Sequence, residues 1–387
     1  MTSKRYLTNA ERKKYLHIRR NFKGTIIGIT GNIGKSSSLH MLYTILKQKG
    51  NVLKPKNDYG TLKSNIEEIE RLDNRYDYAL FEFDNKGRTN FAEILRLIKP
   101  NVGIVTNFGD SHLNYLGGMV KIALKKSEVV KYLARDGVAI FNKDDEMTAA
   151  ITQFIETDKI VKYGFNPSAE FFAGDIKQLG PKGISFKLNG QYTMNLPLYS
   201  VQDVYNFLAA TAAAQSLGIS LDDISDSLNN HFQLQAGHGR LHQAGKTYII
   251  DESYYATPQS LSKAARSLIG FKTHCKPLIF IVGDMAAAGI NVEDQHLNMG
   301  YFLSALPINH IITIGEYAKY ISKGAELIRN GDDRVHHARD TNDVIHILNQ
   351  YIRSGAAVTI KGVGPVSAHR IINYIKEKYM EKDATPG

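Results

Sequence analysis

The residues with the plainest chemical promise lie in "GITGNIGKSSS", residues 28–38. A short apolar run, "GTIIGIT", feeds Gly31, Asn32, Ile33, Gly34, Lys35, Ser36 and Ser37, and a helical pattern opens at once. Backbone N–H groups at a helix start form an anion site, and small residues let phosphate oxygens approach closely. Lys35 would neutralise β- and γ-phosphates, and Ser36 would offer a hydroxyl to Mg2+. The general phosphate-loop spelling, G-x-x-x-x-G-K-[ST], puts a glycine where this chain has Ile29. A Gly-rich turn with a solvent lysine is therefore the alternative. The order strand, Gly-Lys-Ser, helix favours the nucleotide reading.

Three further residues stand out. Glu82 sits inside "YALFEFD", otherwise a buried-type apolar strand, where a carboxylate is costly unless paired or bound to a metal. A carboxylate and a serine hydroxyl near a triphosphate would make an Mg2+ site, since Mg2+ takes few protein oxygens and keeps several waters. A strand-end salt bridge explains Glu82 equally well. Lys126 interrupts the apolar stripe of a helix expected over residues 118–133, flanked by Ile122, Val129 and Val130. Such a lysine either snorkels outward or stays buried with a lowered pKa, a nucleophilic amine able to take up CO2 as a carbamate. Helical geometry alone favours snorkelling. His112, in "GDSHL", is either a satisfied loop histidine or a metal ligand.

The elements that must position these residues alternate. "GTIIGIT", "YDYALFEF" and "PNVGIVTNF" read as strands, with "KSSSLHMLYTILKQKG" and "GGMVKIALKKSEVVKYLARDG" as glycine-stopped helices. That alternation argues a parallel sheet covered on both faces. Such sheets place ligands at the carboxyl ends of their strands, where the loop, Glu82 and "TNFGDSH" all fall. "GISFKLNGQYTMNLPL" reads instead as a hairpin turned at Asn189-Gly190. "LQAGHGR" is the candidate hinge, and beyond it "KTYIIDES", "KPLIFIVGD", "NHIITIGE" and "AAVTIKG" begin a second α/β series. The expected organisation is a basic N-terminal arm (1–23), a central ATP-binding domain (24–236) and a C-terminal domain (237–387).

The chain has 387 residues, one cysteine (Cys275) and a net charge of +10. One cysteine excludes an internal disulfide and suits a reducing compartment. No apolar run approaches the ~18 to 20 residues of a membrane span, and the basic start lacks the apolar core of a signal peptide. A cytoplasmic protein is expected. The charge favours acidic partners. For the arm, the plain reading is a solvated helix, and a contact with an anionic surface is the alternative.

Together the motifs resemble the Mur ligase family, whose loop is spelled G-[TS]-x-G-K-[TS]; Gly31 to Ser36 fit it except at Asn32. "VGIVTNFGDSHLNYLG", "KKSEVV" and "AIFNKDD" resemble further family segments in the family's order. So do "VYNFLAATAAAQSLGI" and Gly239-Arg240. "IDESYYATPQS", "IVGDMAAAGINVEDQH" and "TIKGVGP" resemble the branch that adds D-alanyl-D-alanine. Tyr255, Thr257, Ser200, Gln202 and Asp203 depart from the family's pattern. Residues 1–24 precede the first strand, too few for the family's N-terminal UDP-binding domain, so an acceptor held in another way is expected.

The resemblance implies an α/β fold: a P-loop parallel-sheet ATPase domain with a small antiparallel ribbon, then a Rossmann-like C-terminal domain. It implies an ATP-dependent amide ligase working through an acyl phosphate, with ATP and Mg2+ as cofactors. Gly31, Asn32, Gly34, Lys35, Ser36, Ser37, Asn142, Arg240 and Asp251 would meet the nucleotide, with Asp145 close by. Ser36 and Glu82 would hold one ion; His112 and a carbamylated Lys126 would serve a second. Lys35, His112 and Lys126 are the expected catalytic residues. The partners would be a small carboxylate acceptor and an amino acid or dipeptide amine, the amine near "DESYYATPQS" and "GDMAAAG". A non-catalytic, nucleotide-binding partner subunit and a nucleic-acid-stimulated ATPase are the rival classes. No aromatic–basic motif supports nucleic acid, and none is expected.

Overall fold

The computed structural model describes residues 7–56, 60–83, 91–108, 119–153, 155–286, 291–329 and 333–380. The chain divides into two compact units. The first comprises Met1–Ile176, Phe186–Met194 and Gln202–Phe232; the second comprises Lys177–Ser185, Asn195–Val201 and Gln233–Gly387. Among the described residues no helix is long and apolar enough to cross a membrane.

The first sheet holds β1 (Thr25–Thr30), β2 (Val52–Leu53), β3 (Tyr78–Phe83), β4 (Val102–Val105) and β5 (Val138–Asn142). It continues through β6 (Ile160–Gly164), β7 (Phe171–Gln178), β8 (Ile184–Leu188) and β9 (Tyr192–Leu196). The spatial order is β2-β3-β1-β4-β5-β6-β7-β8-β9, parallel from β2 to β7. β1 lies between β3 and β4, with Thr30 level with both Phe83 and Val105. The carboxyl ends of the three strands therefore share one edge, beside the point where strand order reverses.

The expected hairpin is present. Asn189 and Gly190 both have positive φ, and Gln191 N donates to Leu188 O at 3.1 Å, closing the two-residue turn that an Asn-Gly pair favours. β7, before the hairpin, runs parallel to β6.

Two expectations are corrected. The N-terminal segment is not simply a solvated arm. Its helix, Asn9–Asn21, is closed by a capping box between Thr8 and Glu11. Leu7, Tyr15 and Phe22, each under 5% exposed, join the core of Phe81, Phe83 and Ile94. Burying side chains of that size stabilises by about 1.5–3 kcal/mol each. Two of its cations pair with acids of neighbouring helices, Arg12 with Glu93 and Lys14 with Glu70. Second, the single helix expected over 118–133 breaks into Met119–Lys126 and Glu128–Lys131. At the break Ser127 Oγ donates to Leu124 O at 2.7 Å, a local bond that competes with regular helix.

The second unit is built on β10 (Arg240–Ala244), β11 (Thr247–Glu252), β12 (Leu278–Val282), β13 (His310–Ile314), β14 (Val335–Ala338) and β15 (Ala357–Lys361). Their order is β10-β11-β15-β12-β13-β14. All pairs are parallel except β10 with β11. Every residue of "LIFIV" in β12 is buried, as befits a parallel strand covered on both faces. Sequence reading missed β10 and β14, the two edge strands, because "RLHQA" and "VHHA" are short and rich in polar residues.

Candidate active site

The loop after β1 is shaped by two glycines. Gly34, the N-cap of helix Lys35–Lys47, has φ 87°, a left-handed conformation, and a Cβ there would collide with Asn206 Oδ1. Gly31 has φ 146°, and a Cβ on it would collide with Thr106 Oγ1. Only glycine fits either position at low cost. The first turn of the helix leaves the N–H groups of Lys35, Ser36 and Ser37 without intrahelical acceptors, and the helix dipole adds partial positive charge there.

Neighbouring strands hold the loop. Asn107 Oδ1 accepts the N–H groups of Asn32 at 3.0 Å and Ile33 at 3.1 Å, and Asn107 Nδ2 donates to Ile33 O at 2.9 Å. Thr106 Oγ1 donates to Ile33 O at 2.7 Å. From helix Val201–Ser216, Asn206 Oδ1 accepts Ser38 Oγ at 3.4 Å, while its Nδ2 donates to the buried Asp203 at 3.1 Å. Lys35 Nζ lies 3.0 Å from Gly31 O, curled over the loop. Thr106, Asn107 and Asn206 were not among the predicted site residues. Their signal was already in the motifs "TNF" and "VYNF".

Two observations test whether a nucleotide and its metal fit. Asn32 Nδ2 is a buried donor with no partner among the described residues; an orphaned donor within a loop of this shape suits a phosphate oxygen. Ser36 Oγ donates to Glu82 Oε2 at 2.9 Å. Two cis oxygens on an octahedral ion with Mg2+–O bonds of 2.0–2.1 Å are also about 2.9 Å apart. Glu82 is 4% exposed, and Asn65 Nδ2 steadies its backbone carbonyl at 2.9 Å. The residues present fit both groups.

Lys126 is 5% exposed, which rules out the snorkelling alternative. His112 lies outside the described residues. Asn142, 8% exposed at the end of β5, accepts from Asp144 N at 3.0 Å. Asp145 accepts Phe108 N at 2.8 Å and so ties the loop after β4 to the loop after β5.

In the second unit Arg240 and Asp251 are cross-strand partners on β10 and β11. Asp251, 5% exposed, accepts Gly237 N at 2.8 Å and Ser253 N at 3.1 Å. The loops named for the amine meet here. Ala286 N donates to Ala256 O at 2.9 Å, Gly283 N donates to Lys361 O at 2.8 Å, and Gly362 packs on Ala256. His296, fully buried, accepts Met285 N on Nε2 at 2.9 Å, with Nδ1 2.6 Å from Val292 O. Beneath these loops is a cluster the sequence reading missed: Glu252 lies 3.4 Å from both Lys263 and Lys361. Burial pushes the Glu252 carboxyl up, but the two ammonium groups outweigh it and hold it below the ordinary carboxylate range. Burial pushes the Lys361 ammonium down.

The chain as a whole is similar to known proteins. Residues 29–214 match the Mur ligase middle domain. The chain is 27% identical over 372 residues to the UDP-N-acetylmuramoyl-tripeptide–D-alanyl-D-alanine ligase of Escherichia coli, covering 93% of this chain and 78% of that protein. The Bacillus subtilis enzyme of the same name is 25% identical over 357 residues, covering 91% and 76%. Among solved structures, MurF from Acinetobacter baumannii superposes with a TM-score of 0.81 at 25% identity, covering 96% of this chain and 80% of that one. MurF from Thermotoga maritima in complex with ADP shares the fold at a TM-score of 0.80 and 19% identity, covering 98% and 88%. The chain is thus similar to Mur ligases that add D-alanyl-D-alanine along most of its length, and residues 29–214 match the Mur ligase middle domain.

Proposed function

We propose that the protein is an ATP-dependent amide ligase that joins a carboxylic acid to the amine of an amino acid or dipeptide through an acyl phosphate. The observation that carries this reading is the Ser36–Glu82 oxygen pair beside the Gly34-Lys35 loop, in a chain similar over 93% of its length to a UDP-N-acetylmuramoyl-tripeptide–D-alanyl-D-alanine ligase. Bound Mg-ATP supplies the phosphoryl group that activates the acid, with ADP leaving. The amine nitrogen then attacks the acyl carbon, phosphate leaves, and the nitrogen gives up a proton.

Both steps build negative charge, so fixed cations and dipoles supply most of the catalysis. Lys35 and the N–H groups of Ser36 and Ser37 hold phosphate oxygens, and Asn32 Nδ2 donates to another. Ser36 and Glu82 would hold the metal. Asn142 is a further nucleotide contact within the first unit. The buried Lys126 amine would take up CO2 with loss of a proton, and the carbamate, with His112, would hold a second ion. Lys126→Ala then abolishes turnover, and millimolar acetate or formate restores part of it. Full activity in the variant would remove the carbamate from the mechanism.

The deciding experiment is a condensation screen with Mg-ATP, bicarbonate and pools of acids and amines, including muramyl peptides with and without UDP. Mass spectrometry reads ADP and any product equal to acid plus amine minus water. A product names both substrates. Nucleotide binding without product from any pool would refute the ligase and favour a non-catalytic partner subunit.

A further inference from the structure

In the second unit, the edge of the sheet opposite Asp251 and Glu252 carries a cavity of about 330 Å3. It is lined by Gly245 and Lys246 of the β10–β11 turn, Arg353 and Ser354 before β15, and Lys378 and Tyr379 of helix Pro365–Met380. Its size falls within the range of small-ligand sites. Three of these side chains are cations and none is a carboxylate. Lys246 and Arg353 have no carboxylate partner among the described residues; the one hydrogen bond Arg353 donates goes to Ile352 O at 2.9 Å. Tyr379 is 8% exposed, and its hydroxyl is held above its ordinary pKa by burial, so it stays a neutral donor.

Part of this charge has a structural cause. Arg353 follows the end of helix Thr341–Tyr351, and Lys378 lies in the last turn of its own helix. Helix carboxyl ends attract cations. Each end is equivalent to about half a negative charge, so among the described residues Lys246 and Arg353 alone leave the cavity net positive. Lys246, on a hairpin turn, has no helix end of its own. β11 spans six residues between this edge and Glu252, roughly 20 Å at 3.3 Å per residue. The cavity is therefore separate from the candidate catalytic residues of the same unit.

We infer that this cavity is a second anion site that takes a small phosphate-bearing molecule, held by Arg353, Lys246 and Lys378 with hydroxyl donors from Ser354 and Tyr379. Arg353 is suited to two oxygens of one phosphate. The inference does not depend on the ligase reading.

Calorimetric titration of the full chain with pyrophosphate, at constant ionic strength and without Mg2+, tests it. Lys35→Ala removes the phosphate loop's cation, and Lys246→Gln/Arg353→Gln removes two from the cavity. Arg353→Lys keeps the charge and serves as the milder variant. The expected result is one binding event that survives Lys35→Ala, weakens about ten-fold or more in the double variant, and weakens less in Arg353→Lys. Melting temperatures of the variants should match the parent, because Lys246 and Arg353 are exposed. No binding, binding lost only in Lys35→Ala, or binding unchanged in the double variant would each overturn the site. Citrate binding more tightly than pyrophosphate would overturn the phosphate assignment.

Discussion

Glu252 supports a buried lysine and a half-buried one with a single carboxylate, and that asymmetry fixes an order of mutational costs. The side chains of Glu252 and Lys361 are 6% and 4% exposed, and that of Lys263 is 15% exposed. Glu252→Gln takes the shared carboxylate from the buried Lys361 and the half-buried Lys263. Unpairing a buried ion costs about 3–5 kcal/mol. Lys361→Met leaves Glu252 still facing Lys263 at 3.4 Å and removes an ammonium that burial already disfavours, so its cost should be about half that or less. The double variant should be more stable than Glu252→Gln alone. At about 2–4 °C per kcal/mol for a unit of this size, Glu252→Gln lowers the melting temperature by roughly 6–20 °C. Scanning calorimetry of the four proteins at pH 7 measures this. The reasoning fails if Lys361→Met costs as much as Glu252→Gln, or if the two changes simply add. The pH dependence supplies a second check. Glu252 titrates lower in the folded chain than in the unfolded one, so its stabilisation is present above the ordinary carboxylate range and is lost as pH falls through the depressed value. Glu252→Gln should abolish that part of the acid-side loss.

Gly34→Ala forces a left-handed φ on alanine, costing about 1–2 kcal/mol, and drives its methyl into Asn206. Nucleotide affinity should fall at least ten-fold while circular dichroism stays unchanged; unaltered ADP binding would contradict the loop geometry. His296→Ala leaves Met285 N–H buried without its acceptor, a loss of about 1–3 kcal/mol. On the ligase reading this raises KM for the amine more than KM for ATP, and equal changes in both would show that His296 only supports the fold.

How much of this could be read from the chain depends on the range of the interactions involved. The phosphate loop was legible because its requirements are local: a strand, two glycines, a lysine, a serine and a helix start within a dozen residues. The Asn189-Gly190 hairpin was legible for the same reason. Glu82 was conspicuous as a carboxylate in an apolar strand, and its partner Ser36 followed from placing both at carboxyl ends of a parallel sheet. Lys126 stood between two readings until its burial was known, because helical periodicity assigns a face but not what covers it. The edge strands β10 and β14 escaped notice because strands this short and polar have no apolar repeat to reveal them.

What the sequence by itself determined is the set of local conformations and the identity of the groups that carry chemistry. Tertiary structure alone decided which groups meet. Asn107 and Asn206 reach the loop from residues about 75 and 170 positions away, and Lys361 reaches Glu252 across 109. Local propensity carries no record of such pairings. The strand order sets them, through parallel register between elements far apart in the chain, and that order is chosen by the burial of whole faces rather than by any single residue.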